Sequence, residues 1–167
     1  MKKSIYILVL VLTSTLISCN SSQPTPEELV GKDTFELLQK METISKDDFN
    51  TYFISLEELR EFAKDTTIKD AFRNAITNVS KDIHLIRLQQ SYDMIKESGT
   101  RYEIDWKNIK FREYLYQTRE ESGITFHDGF VAFDDQDKKF VAKIVSINCK
   151  GKQRLFNLSN VEPVRKQ

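Results

Sequence analysis

The spacing of apolar residues changes its period once along this chain, near Gly99, and this change limits the possible folds more than any other feature. Before Gly99, apolar residues recur every three or four positions, which is typical of amphipathic helices. After Gly99, apolar and polar residues alternate and β-favouring types dominate, which predicts strands. Helices followed by an antiparallel sheet describe an α+β fold, with N-terminal helices packed on a four-stranded sheet.

Several short helices are predicted before Gly99, because similar start signals recur there. A hydroxyl residue stands three positions before an acid at Thr25, Ser45, Ser55 and Thr67. A hydroxyl at the N-cap accepts a hydrogen bond from an unpaired backbone N–H, and the acid can bond back to the cap. A fifth, weaker start is Asp33, which would follow an interruption of the first helix at Gly31.

The longest helical pattern covers residues 68–98 and is expected to stop at Gly99, since glycine readily adopts the left-handed backbone that ends helices. The segment Ser80-Lys81-Asp82 could bend or split this helix, and the sequence leaves the alternatives open. The apolar face comprises Ile68, Phe72, Ala75, Ile76, Val79, Ile83, Ile86, Tyr92 and Ile95.

Four strands are predicted at residues 109–119, 124–133, 139–149 and 152–161. The links between them are short, so sequential neighbours should pair antiparallel. The third strand is apolar at even and odd positions alike, which indicates an interior strand. Asp128-Gly129 interrupts the second strand and suggests a bulge or a tight turn.

The chain opens with Lys2 and Lys3 followed by an apolar run, which is the pattern of a targeting segment. The apolar span is about 13 residues, shorter than the roughly 20 that a membrane-crossing helix needs. Leu16-Ile17-Ser18-Cys19 resembles the lipobox of bacterial lipoproteins. The resemblance implies a signal peptide over 1–18, a diacylglyceryl anchor on Cys19, a tether over 19–25 and a single α+β domain over 26–167.

The residue after the cysteine is Asn20. By resemblance to Gram-negative lipoproteins, an aspartate there would imply retention in the inner membrane, so the outer membrane is favoured if the cell has one. The whole chain holds 25 basic and 25 acidic residues, and loss of Lys2 and Lys3 leaves a small acidic excess. This balance argues against a nucleic-acid-binding domain, which should carry a basic excess.

The element order, together with the ending Arg154-Leu155-Phe156-Asn157-Leu158-Ser159, resembles the cystatin-like cone of the nuclear-transport-factor and SnoaL-type superfamily. The resemblance implies a curved sheet that encloses a pocket with the long helix. Such a pocket is the default place for a small ligand. Candidate lining residues are Trp106, Tyr114, Tyr116 and Phe126, and the favoured alternative is that these aromatics form an ordinary core.

His127 and Asp128 are the only adjacent pair suited to acid–base chemistry. Neighbours on a strand point to opposite faces, so a working dyad requires a bulge at Gly129. The favoured alternative for His127 is a solvated loop histidine.

His84 is interpreted as a surface or interhelical histidine, and Cys149 as a free, buried thiol. Two histidines and one available thiol give little support for a metal site, and no cofactor is predicted.

These observations predict a membrane-anchored, non-enzymatic domain of the cell envelope that binds an envelope protein or another protein partner. Such a domain should expose an apolar or acidic patch on its helical half. One alternative is a small-ligand protein whose pocket includes Tyr114, Tyr116, Phe126 and His127. A third hypothesis is a hydrolase or isomerase that uses His127 and Asp128.

Overall fold

The computed structural model describes residues 24–164, and within them the helices precede the sheet as predicted. The helices are α1 (Pro26–Gln39), α2 (Lys46–Asn50), α3 (Leu56–Phe62), α4 (Asp70–Asn78) and α5 (Lys81–Tyr102), and a 3-10 turn (Trp106–Asn108) follows. The strands are β1 (Lys110–Glu121), β2 (Ile124–Asp135), β3 (Lys138–Cys149) and β4 (Lys152–Pro163). Cys19, the predicted signal peptide and most of the predicted tether lie outside the described residues.

The four strands form one antiparallel sheet in the order β1-β2-β3-β4. The α+β class, the four-stranded meander and the interior position of β3 are therefore confirmed, and β2 is also interior. The sheet is open, so β1 and β4 are its edges. Residues 53 and 54 cover part of the β4 edge, where the Ile54 N–H donates to the Leu155 carbonyl at 2.8 Å.

The core has two parts, one on each face of the sheet. On the face that we call the α1 face, Val131 and Phe133 of β2 and Ala142 of β3 pack with α1 and α5. On the opposite face, called the α4 face, Ile124, Phe126 and Ile147 pack with α3 and α4. Because side chains alternate along a strand, one strand contributes to both parts.

The sequence left open the continuity of the helical segment over residues 68–98, and the predicted end of this segment is wrong. It is split at Val79 and Ser80, because the Ser80 hydroxyl accepts a hydrogen bond from the Ile83 N–H at 3.2 Å and starts α5 as its N-cap. Gly99 does not stop α5, which continues to Tyr102 and ends at Glu103, a residue with left-handed backbone (φ 55°). Gly99 instead makes room for Trp106, since a Cβ there would lie 2.4 Å from Trp106 Nε1.

The predicted helix starts at Thr25, Ser45 and Ser55 are confirmed, because each hydroxyl accepts the N–H three residues later. The predicted start at Thr67 is wrong: its hydroxyl bonds to the Asp65 carboxylate at 2.7 Å, and α4 begins at Asp70 without a side-chain cap.

The interruption predicted at Gly31, with a new start at Asp33, is also wrong, because α1 runs through both residues. Gly31 lies against Tyr114, and its missing side chain admits that ring.

The bulge or turn predicted at Asp128-Gly129 is wrong. Both residues pair in unbroken register with β1 and β3. Gly129 leaves space for Tyr114, since a Cβ at Gly129 would lie 2.5 Å from Tyr114 Cε2. The register shifts elsewhere, between Phe111 and Glu113 of β1 and at two places between β3 and β4.

Candidate functional site

Three of the residues predicted to line a pocket lie together on the α1 face. The Tyr116 ring stacks on Tyr114, with centroids 5.3 Å apart, and on His127, with centroids 4.9 Å apart. Tyr116 is exposed, whereas His127 is buried within β2. The interpretation of His127 as a solvated loop residue is therefore wrong, because its strand is interior and Tyr116 covers its ring.

Buried polar atoms accompany this aromatic stack. The Tyr114 hydroxyl, His127 Nδ1 and Gln153 Oε1 are buried without a hydrogen-bond partner among the described protein atoms. The Gln153 amide donates to Ser146 Oγ at 2.7 Å, and Ser146 lies near the Tyr114 hydroxyl without meeting hydrogen-bond geometry. Burial raises the pKa of Tyr114 to about 12, because the phenolate would be poorly solvated there.

The fourth predicted pocket residue, Phe126, lies on the opposite α4 face, where the Arg119 guanidinium is 4.5 Å from its ring centroid. Asp128 shares that face and accepts a hydrogen bond from Arg119 Nε at 2.8 Å. His127 and Asp128 thus point to opposite faces, so the imidazole and the carboxylate are not brought together. Trp106 is buried in the core of the α1 face.

A groove of about 520 Å³ opens on the α4 face. Its floor is the sheet, at Phe126, Val145 and Phe156, and α3, α4 and residues 84–94 of α5 form its walls. The volume falls within the range of about 300–1,000 Å³ that is usual for small-molecule sites. The wall residues include Leu56, Leu59, Phe72, Ala75, Ile76, Val79, His84, Leu88, Ser91 and Met94.

The charged residues that line this groove are Arg87 and Arg119, with His84 beside them and no acidic residue. Arg119 is paired with Asp128, whereas Arg87 forms no ion pair within the part of the chain that the structure describes. Burial lowers the pKa of His84, and Arg87 adds to this effect while Glu57 opposes it. The groove is therefore mainly apolar, and the charged side chains that line it are positive.

The apolar surface continues past the groove on the outer side of α5. Ile83, Ile86 and Met94 are exposed, and their spacing places them on one side of that helix. The sequence pattern placed Ile83 and Ile86 on one apolar face with positions 68–79, and the structure divides this face between two separate helices. The buried positions of α5 alone, which are Leu88, Ser91, Ile95, Ser98 and Gly99, leave both isoleucines off their stripe.

A larger hollow of about 660 Å³ lies between the end of α5 and the β2–β3 turn. Most of its lining residues are charged, including Arg101, Glu103, Asp137, Lys138 and Lys139. The groove on the α4 face is the better candidate because apolar walls with few polar groups are typical of binding sites.

Cys149 is free and half-buried, less buried than predicted, and burial raises its pKa to about 11. Among residues 24–164, no group of three or more His, Cys, Asp or Glu side chains is placed to hold a metal ion. No helix in that part of the chain has both the length and the apolar character needed to cross a membrane. Comparisons with protein-family models, curated proteins and solved structures found no match to this chain.

Proposed function

We propose that this chain is a lipid-anchored envelope protein that binds a protein partner through the groove on the α4 face and the adjoining outer side of α5. The observation that carries the proposal is the exposed apolar surface formed by Ile83, Ile86 and Met94 beside an apolar groove. Contiguous exposed apolar surface is uncommon on soluble monomers and is typical of interaction sites. The surface lies on the helical half, where a protein-binding domain was expected to expose it.

The anchor rests on the lipobox resemblance at Cys19. The segment between Cys19 and α1 spans at most roughly 20 Å when extended, so the domain would stay close to the bilayer. Incorporation of a fatty-acid analogue into the wild-type chain, and its loss in Cys19→Ala, tests this part separately. The outer membrane remains the favoured location in a Gram-negative cell.

Site-specific photo-crosslinking in the native envelope tests the binding surface. A photoreactive amino acid at Ile86, which is 52% exposed, should give a protein adduct. The same amino acid at Leu29 of α1, which is 43% exposed, is the matched control and should give none. Met94→Asp should remove the Ile86 adduct, because a carboxylate beside the groove would be desolvated by the partner. Equal adducts at both positions would refute the proposal.

A second candidate function is the binding of a small apolar ligand, and the volume and apolar lining of the same groove favour it. Native mass spectrometry of the intact chain would then show a copurified ligand. Ile86→Asp distinguishes the two functions, since Ile86 lies outside the groove lining. This substitution should weaken the binding of a protein partner and leave a ligand bound in the groove.

The cystatin-like relationship also stays a proposal. The order of helices before a four-stranded antiparallel sheet supports it. An experimental structure whose sheet curves around the long helix would support it further, and a flat sheet would contradict it. Acid–base chemistry at His127 and Asp128 is not proposed, because the two side chains lie on opposite faces of β2.

A further inference from the structure

The two edge strands of the sheet differ in the hydrogen bonding of their outer backbone groups. On β4, the Leu155 carbonyl accepts the Ile54 N–H at 2.8 Å, and the Val161 N–H donates to Ser98 Oγ at 3.3 Å. On β1, twelve residues long, no backbone hydrogen bond joins the outer edge to any other residue in 24–164. A long edge strand with unpaired N–H and C=O groups is a template for another strand.

We propose that β1 pairs antiparallel with β1 of a second copy of this chain, forming a twofold-symmetric dimer with a continuous eight-stranded sheet. The outward N–H and C=O groups of an edge strand belong to alternate residues, so a symmetric pair must join residues of like parity. The proposed register places Tyr116 on the twofold axis, opposite Tyr116 of the second copy. Glu113 then faces Arg119 of the second copy, and symmetry repeats this pair.

The charges of β1 select this register. A shift of two in one direction places Glu113 opposite Glu121, a like-charge pair that destabilises a sheet. The opposite shift places Glu113 against Gln117 and Arg119 against Phe111, so both ion pairs are lost. Edge charges usually prevent pairing between strands. In the proposed register, the central charges attract instead.

Both side chains are available for this pair. Glu113 forms no ion pair within residues 24–164, and it lies on the same sheet face as Arg119. Arg119 contacts Asp128 and Glu121 of its own chain. A guanidinium offers five N–H donors, so Arg119 can donate a hydrogen bond to a third carboxylate.

The pairing also covers apolar side chains that the single chain exposes. Leu115 is 57% exposed and lies beside Phe130, its exposed partner on β2. In the dimer, Leu115 is opposite Gln117 of the second copy and diagonal to its Leu115, within reach for side-chain contact. On the α1 face, the two exposed Tyr116 rings meet at the axis.

Two charge reversals test the register with the full-length chain in mild detergent. The wild type should sediment as a dimer. Glu113→Arg places Arg against Arg at both symmetric positions, and Arg119→Glu places Glu against Glu. Each variant alone should raise the dimer dissociation constant at least tenfold. An equimolar mixture should restore association as a heterodimer, because a chain with Arg at 113 and 119 then faces a chain with Glu at both.

The matched control is Lys81→Glu, a charge reversal at an exposed residue on α5, which should leave dimerisation unchanged. Circular dichroism checks that each variant is folded, and heterodimer formation is itself evidence of folding. A wild type that stays monomeric at several hundred micromolar would overturn the proposal, as would variants that dimerise like the wild type. A mixture that does not associate would refute the register. Arg119 also lines the groove on the α4 face, whereas Glu113 does not, so Glu113→Arg tests the dimer without altering the groove.

Discussion

Replacing Gly31 with alanine should destabilise the protein, although alanine is the better helix former. Gly31 is buried in the middle of α1. A Cβ at this position would lie 2.4 Å from Tyr114 Cγ and 2.6 Å from Tyr114 Cβ, at the root of the side chain where rotation gives little relief. Tyr114 cannot move away freely, because its ring also lies directly against Gly129.

Two opposing terms give the magnitude. Alanine in place of glycine stabilises a helix interior by about 1 kcal/mol. Overpacking a core typically costs about 1–3 kcal/mol, and an overlap of about 1 Å against backbone-proximal atoms belongs to the upper part of that range. The net loss for Gly31→Ala should be about 1–2 kcal/mol. With Tyr114→Ala as background, only the helix term remains, so the same change should stabilise by about 1 kcal/mol.

Urea unfolding of the wild type, both single variants and the double variant measures these free energies by linear extrapolation. The coupling between positions 31 and 114 should be about 2–3 kcal/mol, because the two residues are in contact. Lys32→Ala, at the exposed neighbouring position, is the control and should change stability by less than about 0.5 kcal/mol. An equal effect of Gly31→Ala in both backgrounds would refute the reasoning, as would a stabilised single variant.

Three further outcomes are expected. Ser80→Ala should lower the free energy of unfolding, measured in urea, by about 1 kcal/mol because α5 loses its N-cap, whereas Ser80→Asp should retain most of the stability. Equal stability of Ser80→Ala and the wild type would count against the cap. In a Cys19→Ser chain at neutral pH, iodoacetamide should label Cys149 roughly a hundredfold more slowly than an ordinary thiol, because a pKa near 11 leaves little thiolate. Fast labelling of the folded protein would contradict this. In an NMR titration, His84 should show a pKa below its usual value of 6.5, and a midpoint above 6.5 would contradict this. Because the unfolded chain then binds the proton more readily than the folded chain, the contribution of His84 to stability is complete above about pH 6.5 and falls as the pH drops toward the folded-state pKa.

The predictions that succeeded depend on interactions within a few residues. The caps at Thr25, Ser45 and Ser55 each join atoms three residues apart, so a short sequence window contains the whole interaction. Thr67 has the same pattern, but Asp65 offers its hydroxyl a nearer partner. The strands were located to within a few residues, because alternation of apolar and polar side chains follows directly from strand geometry.

The structural predictions made from three glycines were wrong for a physical reason. Backbone freedom at Gly31, Gly99 and Gly129 predicted an interruption, a stop and a bulge, all of which are local events. The structure uses these residues for close contact with Tyr114 and Trp106. For Gly31, the partner is 83 positions away along the chain, so no local pattern could identify it.

For the candidate site too, the sequence pointed to individual residues but did not identify how distant segments bring them together. Sequence reasoning selected Tyr114, Tyr116, Phe126 and His127, and the structure brings three of them together on the α1 face while Phe126 lines the groove on the other. The groove was not predicted. It exists because α3 and α4 cover only one end of the α4 face and because α5 begins anew at Ser80.

The α+β class, the strand order and most helix starts follow from the sequence alone, because periodicity and capping are properties of neighbouring residues. Tertiary structure decided which apolar side chains stay exposed, including Ile83, Ile86 and Leu115. The physical reason is that periodicity identifies the apolar side of an element but not which other element covers it. That choice depends on packing between distant segments, and here it left a groove on one sheet face and an open edge at β1.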